Sequence, residues 1–346
     1  MTSCVVLGGA LLAMALDLTL GDPSNRWHPV AWMGALIRAL SPAQRPGRHP
    51  ERSDWVPAPT EAERQVLKRA HLASSVVAPF LRGTAITLGG ALLFSLPLWL
   101  ALRWLSGWGW PAALLVSVVG LKMTIGYRGL ARAAREVQRA LEAGDLPEAR
   151  RLLSWHLVSR DTSRLGADLV AAATIESVAE NLTDGLTAPL FYYLLGGTPG
   201  AWAYRFVNTC DSLLGYHDPI HEYLGKFPAR LDDVLNWLPA RLTGLALAMG
   251  AALAGEDGRG ALRTMLAQHG RTASPNAGWT MSAMAGALGV TLEKVGHYRL
   301  EGGAEVPGAE GIDRALRVAR ATLLVTLGSL AAAALLLLVW QWYGGR

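Results

Sequence analysis

Residues 83–102 read GTAITLGGALLFSLPLWLAL, twenty uncharged residues set between Arg82 and Arg103. As an α-helix this stretch extends about 30 Å, the thickness of a bilayer's hydrocarbon core. A second stretch, ATLLVTLGSLAAAALLLLVWQWYGG, fills residues 321–345, and its WQWY segment carries aromatic residues of the type that settle at a membrane interface. Residues 104–121 are also uncharged; they turn back at SGWGWP, and Lys122 at their end is expected to snorkel toward water. Residues 1–16 lack the basic start of a secretory signal and run into Asp17 and Asp22, so they predict a short retained span. With 51% hydrophobic and 17% charged residues over 346 positions, the composition argues against a soluble globule and for one membrane-embedded domain.

Charge orients these spans. Arginine and lysine crowd residues 23–82, 128–164 and 256–320, which predicts cytoplasmic loops by the positive-inside tendency, whereas SGWGWP and the terminal YGGR face outward. The fold class that follows is all-α: a multi-pass integral membrane protein with about four full spanning helices, the last over 321–345. Two apolar stretches, 185–204 with its GGTPG and 242–255, predict partly buried or re-entrant helices on the cytoplasmic side, since irregular backbone at membrane depth needs a protein-lined or wet cavity. Residues 131–157 predict a basic helical hairpin leaning on the membrane surface, with Gly144 ending its first helix and Asp145 capping its second. Residues 42–63 are Pro-rich and predict a mobile part of the 23–82 loop.

Most acidic motifs fall within residues 128–241, which form the polar core of this reading. Glu176, Glu180 and Asp184 recur every four residues, so one helix would place them on a shared face with Asn181 beside it. Three acids near lipid repel one another unless cations neutralise them, and a divalent metal is one such cation. Asn208 and Asp211 lie one turn apart, and Arg230, Asp232, Asp233, Asn236 and Arg241 follow. Hard oxygen ligands beside arginines suit Mg²⁺ and a polyphosphate; a purely structural polar network is the competing reading.

Other polar patches are less specific. Asp22 and His28 close the first span, with Asp22 in a Gly-Asp-Pro turn. Arg160 and Asp161 stand in LVSRDTSRLG, either a capping turn or an anion contact. Arg271, Ser274, Asn276 and Gly278 stand in a small-residue loop whose backbone N–H groups would reach a phosphate. Cys4 and Cys210 suit packing, and Pro219 between His217 and His221 argues against a helical zinc pair. The chain has no P-loop, no Rossmann turn, no G-x-S-x-G elbow and no H-E-x-x-H. These residues alone imply a membrane enzyme or transporter with an anionic, Mg²⁺-dependent cytoplasmic site.

Five stretches carry a more specific signal: DLTLGDPSNRWHPVAWMG at 17–34, LVSRDT at 157–162, ESVAENLTDGLTAPLFYYLLGGTPGAWAYRFVNTCDSLLGY at 176–216, ARLDDVLNWLPARLT at 229–243, and SPNAGWTMSAMAGALGV at 274–290. Together they resemble the adenosylcobinamide-phosphate synthase family of cobalamin biosynthesis, in matching order across nearly the whole chain. The resemblance implies a multi-pass enzyme of the cytoplasmic (inner) membrane with its active site facing the cytoplasm. It implies ATP-dependent amide ligation of adenosylcobyric acid to aminopropanol phosphate, or to aminopropanol or ethanolamine, through an acyl phosphate.

Under that resemblance ATP and Mg²⁺ are the expected cofactors, and Glu176, Glu180, Asp184 and Asp211 the expected metal ligands. Asn181, Asp232 and Asp233 join Glu176, Glu180 and Asp184 as catalytic candidates. Asp22, His28, Arg160, Asp161, Asn208, Asp211, Arg230, Asn236, Arg241, Ser274 and Asn276 are the substrate-binding candidates. The expected partners are the two substrates, the lipid bilayer, a second copy of the chain and other cobalamin-assembly enzymes, without nucleic acid. A corrinoid or amine transporter and a Mg²⁺-dependent membrane prenyltransferase are the rival readings.

Overall fold

The structure, a computed structural model, describes residues 3–41, 76–215 and 221–344. The Pro-rich 42–63 segment and His217 lie outside the described residues, as does the side chain of His221.

Helix α1 (Ser3–Leu20) leads through a tight turn to α2 (Pro29–Leu40). A long hairpin follows, α3 (Val77–Ser106) and α4 (Trp110–Lys122), joined at Gly109, whose φ of 129° suits a residue without a β-carbon. Leu88, Leu92, Leu96 and Trp99 are exposed along α3, and Trp104, Trp108 and Trp110 cluster at the turn. Apolar surface this continuous needs lipid as its solvent, and the tryptophans mark an interface. Three helical segments, Val77–Ser106, Trp110–Glu142 and Ala309–Ala333, are long and apolar enough to cross a membrane. The apolar part of α1, Leu7–Leu20, is shorter than these, so by length the described chain supports three of the four spans expected.

The expected helical hairpin is α5 (Tyr127–Glu142) and α6 (Leu146–His156). Gly144 turns at φ 73°, the Asp145 N–H reaches back to the Ala140 carbonyl at 2.9 Å, and the Asp145 carboxylate caps Glu148 N–H at 3.0 Å. The small buried face of Ala131, Ala134, Val137 and Ala140 packs on α7 (Ala167–Leu182) and α14 (Ala309–Gly344).

Helix α7 passes through a π-helical turn, Thr183–Thr187, into α8 (Ala188–Leu214). Helix α8 is broken where Gly197 adopts φ 65° and ψ −162°, two residues before Pro199, so the apolar 185–204 stretch is a bent helix. Short α9 (His221–Leu224) and α10 (Lys226–Leu235) lead to α11 (Trp237–Leu253), which buries Thr243, Gly244, Leu247 and Ala251 while Leu242, Leu245, Met249 and Leu253 stay exposed. Helices α12 (Gly258–Gln268) and α13 (Ala277–Leu288) follow. Strands β1 (Thr291–Lys294) and β2 (Tyr298–Glu301) then form an antiparallel hairpin with Lys294 opposite Tyr298, an addition to the all-α expectation.

The main core gathers residues from α1, α4 to α8, α11 to α14 and the hairpin. A smaller cluster, Met33, Ile37, Ile86, Phe206, Cys210, Leu214 and Leu224, fixes α8 against α2 and α3. Cys210 is therefore packing, as expected, and it aims the next residue, Asp211, away from that cluster.

Candidate active site

A cavity of about 350 Å³ opens among the π turn, α8, α10 and the loop before α13. Glu180, Asp184, Asp211, Arg230, Asp232, Asp233, Asn236, Ser274 and Asn276 all line it, so four separate sequence clusters converge on one space. Thr183, Glu222, Lys226 and Thr280 also line it, with glycines and alanines filling the rest of the wall.

Asp232 is the best-held acid. Its Oδ1 accepts from Asn208 Nδ2 at 3.3 Å and its Oδ2 from Asn236 Nδ2 at 2.9 Å, and Asn236 in turn accepts from the Tyr204 hydroxyl at 2.9 Å. The i, i+4 spacing of Asp232 and Asn236 makes one of these bonds local, and α8 supplies Asn208 and Tyr204 from the facing helix. Asp232, Asn208 and Asn236 are all buried. Burial pushes the Asp232 carboxyl well above the usual carboxylate range, the charges of Asp184 and Asp211 push it further, and Asn208 and Asn236 offset only part. Asp184 is likewise raised by burial, against the opposing pull of Asn208 and Arg205.

The four-residue stripe of acids is divided by its surroundings. Glu180 opens to the cavity while protein crowds it on its other sides, and burial, then Asp184, then Glu176, raise it to about 7. Glu176 does not line the cavity. It is buried one turn earlier, 3.6 Å from Arg160, and its Oε1 has no hydrogen-bond partner among the described residues; burial raises this carboxyl to about 7 as well. Asn181 turns its amide back to the Ser177 carbonyl at 2.9 Å and is absent from the cavity wall.

Several candidates sit apart from this space. Asp161 accepts from Ser163 N–H at 2.9 Å and is exposed, the capping-turn alternative of the sequence reading. Asp22 joins His28, 3.6 Å away, and Lys122, which also lies 3.5 Å from Asp17. Lys122 is therefore buried between acids and does not snorkel, because the α1 carboxylates stand closer than water. His28 Nδ1 accepts from Val30 N–H at 3.2 Å, which leaves Nε2 to donate to Asp22. This cluster ties α1, α2 and α4 together.

Arg241 lies between Trp237 and Trp279, 4.3 and 4.6 Å from their ring centres, and donates to Asn276 Oδ1 at 3.3 Å. Asn276 Nδ2 donates to the Asp233 carbonyl at 2.7 Å. Arg241 thus steadies a lining residue and is not itself part of the wall. Ser274 Oγ accepts from the N–H groups of Asn276 and Ala277 at 3.2 and 3.4 Å, so these backbone donors are already taken by the cap of α13. The Gly278 position is filled for a different reason from the expected approach to phosphate: a β-carbon there would meet the His269 carbonyl oxygen. Gly278→Ala is expected to cost about 1–3 kcal/mol as overpacking and to lower the thermal unfolding midpoint in detergent; an unchanged midpoint would show that the loop yields freely.

Sequence reasoning missed Arg205, whose NH1 donates to the Asp184 carbonyl at 3.2 Å and to Asn208 at 3.4 Å. Its position three residues before Asn208 was the available signal. Lys226 was missed because it stands one helical turn before Arg230, outside the acidic motif.

Metal and polyphosphate fit this donor set in a specific way. Among the described residues no group of three histidine, cysteine, aspartate or glutamate side chains stands ready to hold a metal. A dedicated cage is thereby unsupported, but Mg²⁺ takes one or two carboxylates together with waters and phosphate oxygens. The partners of Asp232 are neutral amides, so no cation of the described residues balances the carboxylate when it ionises, and a bound metal would.

The family described as CobD/Cbib protein matches residues 10–337 of this chain. The chain belongs to the CobD/CbiB family. Similar members include the cobalamin biosynthesis protein CobD of Dehalococcoides mccartyi strain CBDB1, 41% identical over 290 residues, 84% of this chain and 85% of that protein. The probable cobalamin biosynthesis protein CobD of Methanothermobacter thermautotrophicus is 39% identical over 329 residues, covering 95% and 97%. The cobalamin biosynthesis protein CbiB of Salmonella typhi is 38% identical over 287 residues, covering 83% and 82%. No solved structure matches this CobD/CbiB chain.

Proposed function

We propose that this protein is the cobalamin-biosynthetic ligase that joins the free propionate of adenosylcobyric acid to aminopropanol phosphate with ATP. The observation that carries the reading is the convergence of Glu180, Asp184, Asp211 and Asp232 on one cavity with Lys226 and Arg230. It is a setting for several anionic oxygens at once, and CobD/CbiB membership supplies the pathway. The site would face the cytoplasm of the inner membrane, since ATP is there.

A carboxylate is a poor electrophile, so the propionate oxygen would take the γ-phosphoryl group of ATP with departure of ADP. The amine then attacks the acyl carbon, and phosphate leaves with loss of an amine proton. Bound Mg²⁺ would supply charge neutralisation at the phosphate oxygens. Glu180, Asp184, Asp211 and Asp232 are the residues to hold it, with Glu176 excluded by its burial against Arg160. Lys226 and Arg230 at the wall would receive phosphate oxygens as charges move between them. Asn236 and Asn208 keep Asp232 oriented through both steps, and Arg241 does the same for Asn276.

The test uses purified protein in detergent with adenosylcobyric acid, ATP, Mg²⁺ and either aminopropanol phosphate or aminopropanol. Corrinoid product heavier by one amide-linked amine, formed only with ATP, is the expected result. Folded protein that yields no product with either amine would remove the ligase reading and favour a corrinoid or amine transporter.

A further inference from the structure

We propose that Arg160, Lys294 and the hydroxyl of Tyr298 form a phosphate subsite one helical turn from the cavity, and that it receives the phosphate of the amine substrate. This inference rests on the ligase reading and assigns one end of one substrate within it.

The β-hairpin builds the subsite. Lys294 and Tyr298 are directly paired across β1 and β2, so both side chains leave the same face of the hairpin, and β1 packs on α7. Arg160, in the loop before α7, comes to the same place from the other side, with its guanidinium 3.6 Å from Glu176. The Tyr298 hydroxyl lies beside Glu176 as well. Two half-buried cations are thus held beside one another, near enough that Arg160 adds to the burial that lowers the affinity of Lys294 for its proton.

Neutralising the acids accounts for only part of this arrangement: Lys294 feels the charges of Glu176 and Glu180 but closes on neither. The Lys294 ammonium has no salt bridge or hydrogen bond among the described residues, and Arg160 has only its single contact with Glu176. Glu176 Oε1 meanwhile stays buried without a partner. Cations placed to satisfy Glu176 would have closed on that oxygen. Instead two sets of unused donors remain, one a planar guanidinium and the other a compact ammonium, and together they complement a doubly charged tetrahedral oxyanion.

Length selects the ligand. Glu176 and Glu180 are four residues apart on α7, about 6 Å along the axis, and Glu180 lines the cavity whereas Glu176 does not. In an amine that carries its phosphate two carbons away, the nitrogen and phosphorus are separated by N–C, C–C, C–O and O–P bonds, roughly 4–5 Å when extended. Phosphate held by Arg160 and Lys294 therefore places the amine end beside Glu180, at the edge of the cavity. A carboxylate substrate has no such second charge to place. The hairpin thereby becomes the element that distinguishes a phosphorylated amine from a free one.

The experiment compares wild type, K294Q, K294R and R160Q as full-length protein in detergent, with aminopropanol phosphate and aminopropanol as alternative amines. In K294Q and R160Q the ratio of kcat/KM for the phosphorylated over the free amine is expected to fall about 10- to 100-fold, the range for losing one charge-assisted bond. The fall should arise through KM, and K294R should retain most of the preference. Equal losses with both amines would assign Lys294 a structural role and overturn the proposal. A KM increase confined to ATP would overturn it in favour of a nucleotide contact.

Calorimetric titration of aminopropanol phosphate and of inorganic phosphate, without ATP or corrinoid, separates this proposal from the ligase reading. Should wild type make no amide, binding that is lost in K294Q and R160Q but kept in K294R still supports the phosphate subsite. Binding of equal strength in all four proteins, or in none, overturns it.

Discussion

Asp232→Asn is expected to lower the rate of amide formation about 10²- to 10³-fold, the range for removing one preorganised electrostatic contact, while leaving the folded protein as stable as its parent. The two effects separate because Asp232 is held by neutral groups. Its oxygens accept from Asn208 and Asn236, so an asparagine of the same shape loses one bond at most, and reorienting Asn208 gives up its 3.4 Å contact with Arg205 and its pull on Asp184. Against that loss stands the removal of a buried carboxyl that Asp184 and Asp211 repel. Asp232→Ala is different. It strands two buried amides, each costing about 1–3 kcal/mol, and should unfold at lower temperature. Product formation and thermal unfolding measured on the same preparations decide the matter, with Mg²⁺ as a further readout, since a cation that binds the folded state raises its unfolding midpoint. Parent protein should respond to Mg²⁺ and Asp232→Asn should respond much less. Activity within tenfold of the parent would show that the cavity needs the shape at 232 and not its charge.

Three of the four expected spans were legible, because a long uncharged run leaves a helix little alternative in lipid. Gly144 and Asp145 were legible for a similar reason: each has a local conformational task that neighbouring residues do not share. The convergence of three acid clusters was suggested by their residue types, yet the order around the cavity was not. Glu176, Glu180 and Asp184 look equivalent at four-residue spacing, and only the approach of Arg160 and the β-hairpin separates the first from the other two. Lys122 follows the same logic. At the end of an apolar run it ought to reach for water, and Asp17 and Asp22, a hundred residues earlier in the chain, reverse that choice. The hairpin itself was missed because four-residue strands leave no periodicity to detect, whereas Gly278 was noticed for its small size and assigned the wrong neighbour.

Without Mg²⁺, the stability of the protein is expected to fall as pH rises from about 4.5 to about 7, the interval between the ordinary glutamate value and the raised values of Glu176 and Glu180. A carboxyl whose folded-state pKa is raised binds more protons in the folded than in the unfolded chain across that interval, so the slope of unfolding free energy against pH is negative there. Below the interval these two carboxyls are protonated in both states and above it they are ionised in both, so their contribution to the slope vanishes outside. Glu176 should contribute the steeper part, being buried away from the cavity's water, and Glu180 the smaller part. Glu180→Gln is therefore expected to flatten the profile only partly, yet to reduce ligation about 10²- to 10³-fold, whereas Glu176→Gln flattens it more. Mg²⁺ acts on the Glu180 portion by competing with protons for the cavity carboxylates, so added metal should restore stability above pH 7 in the parent and less in Glu180→Gln. Thermal unfolding from pH 4.5 to 8, with and without Mg²⁺, measures each portion. A profile that rises across this range would mean that both carboxyls are ionised and paired in the folded protein, and the cavity would then lack the excess of negative charge that draws the metal.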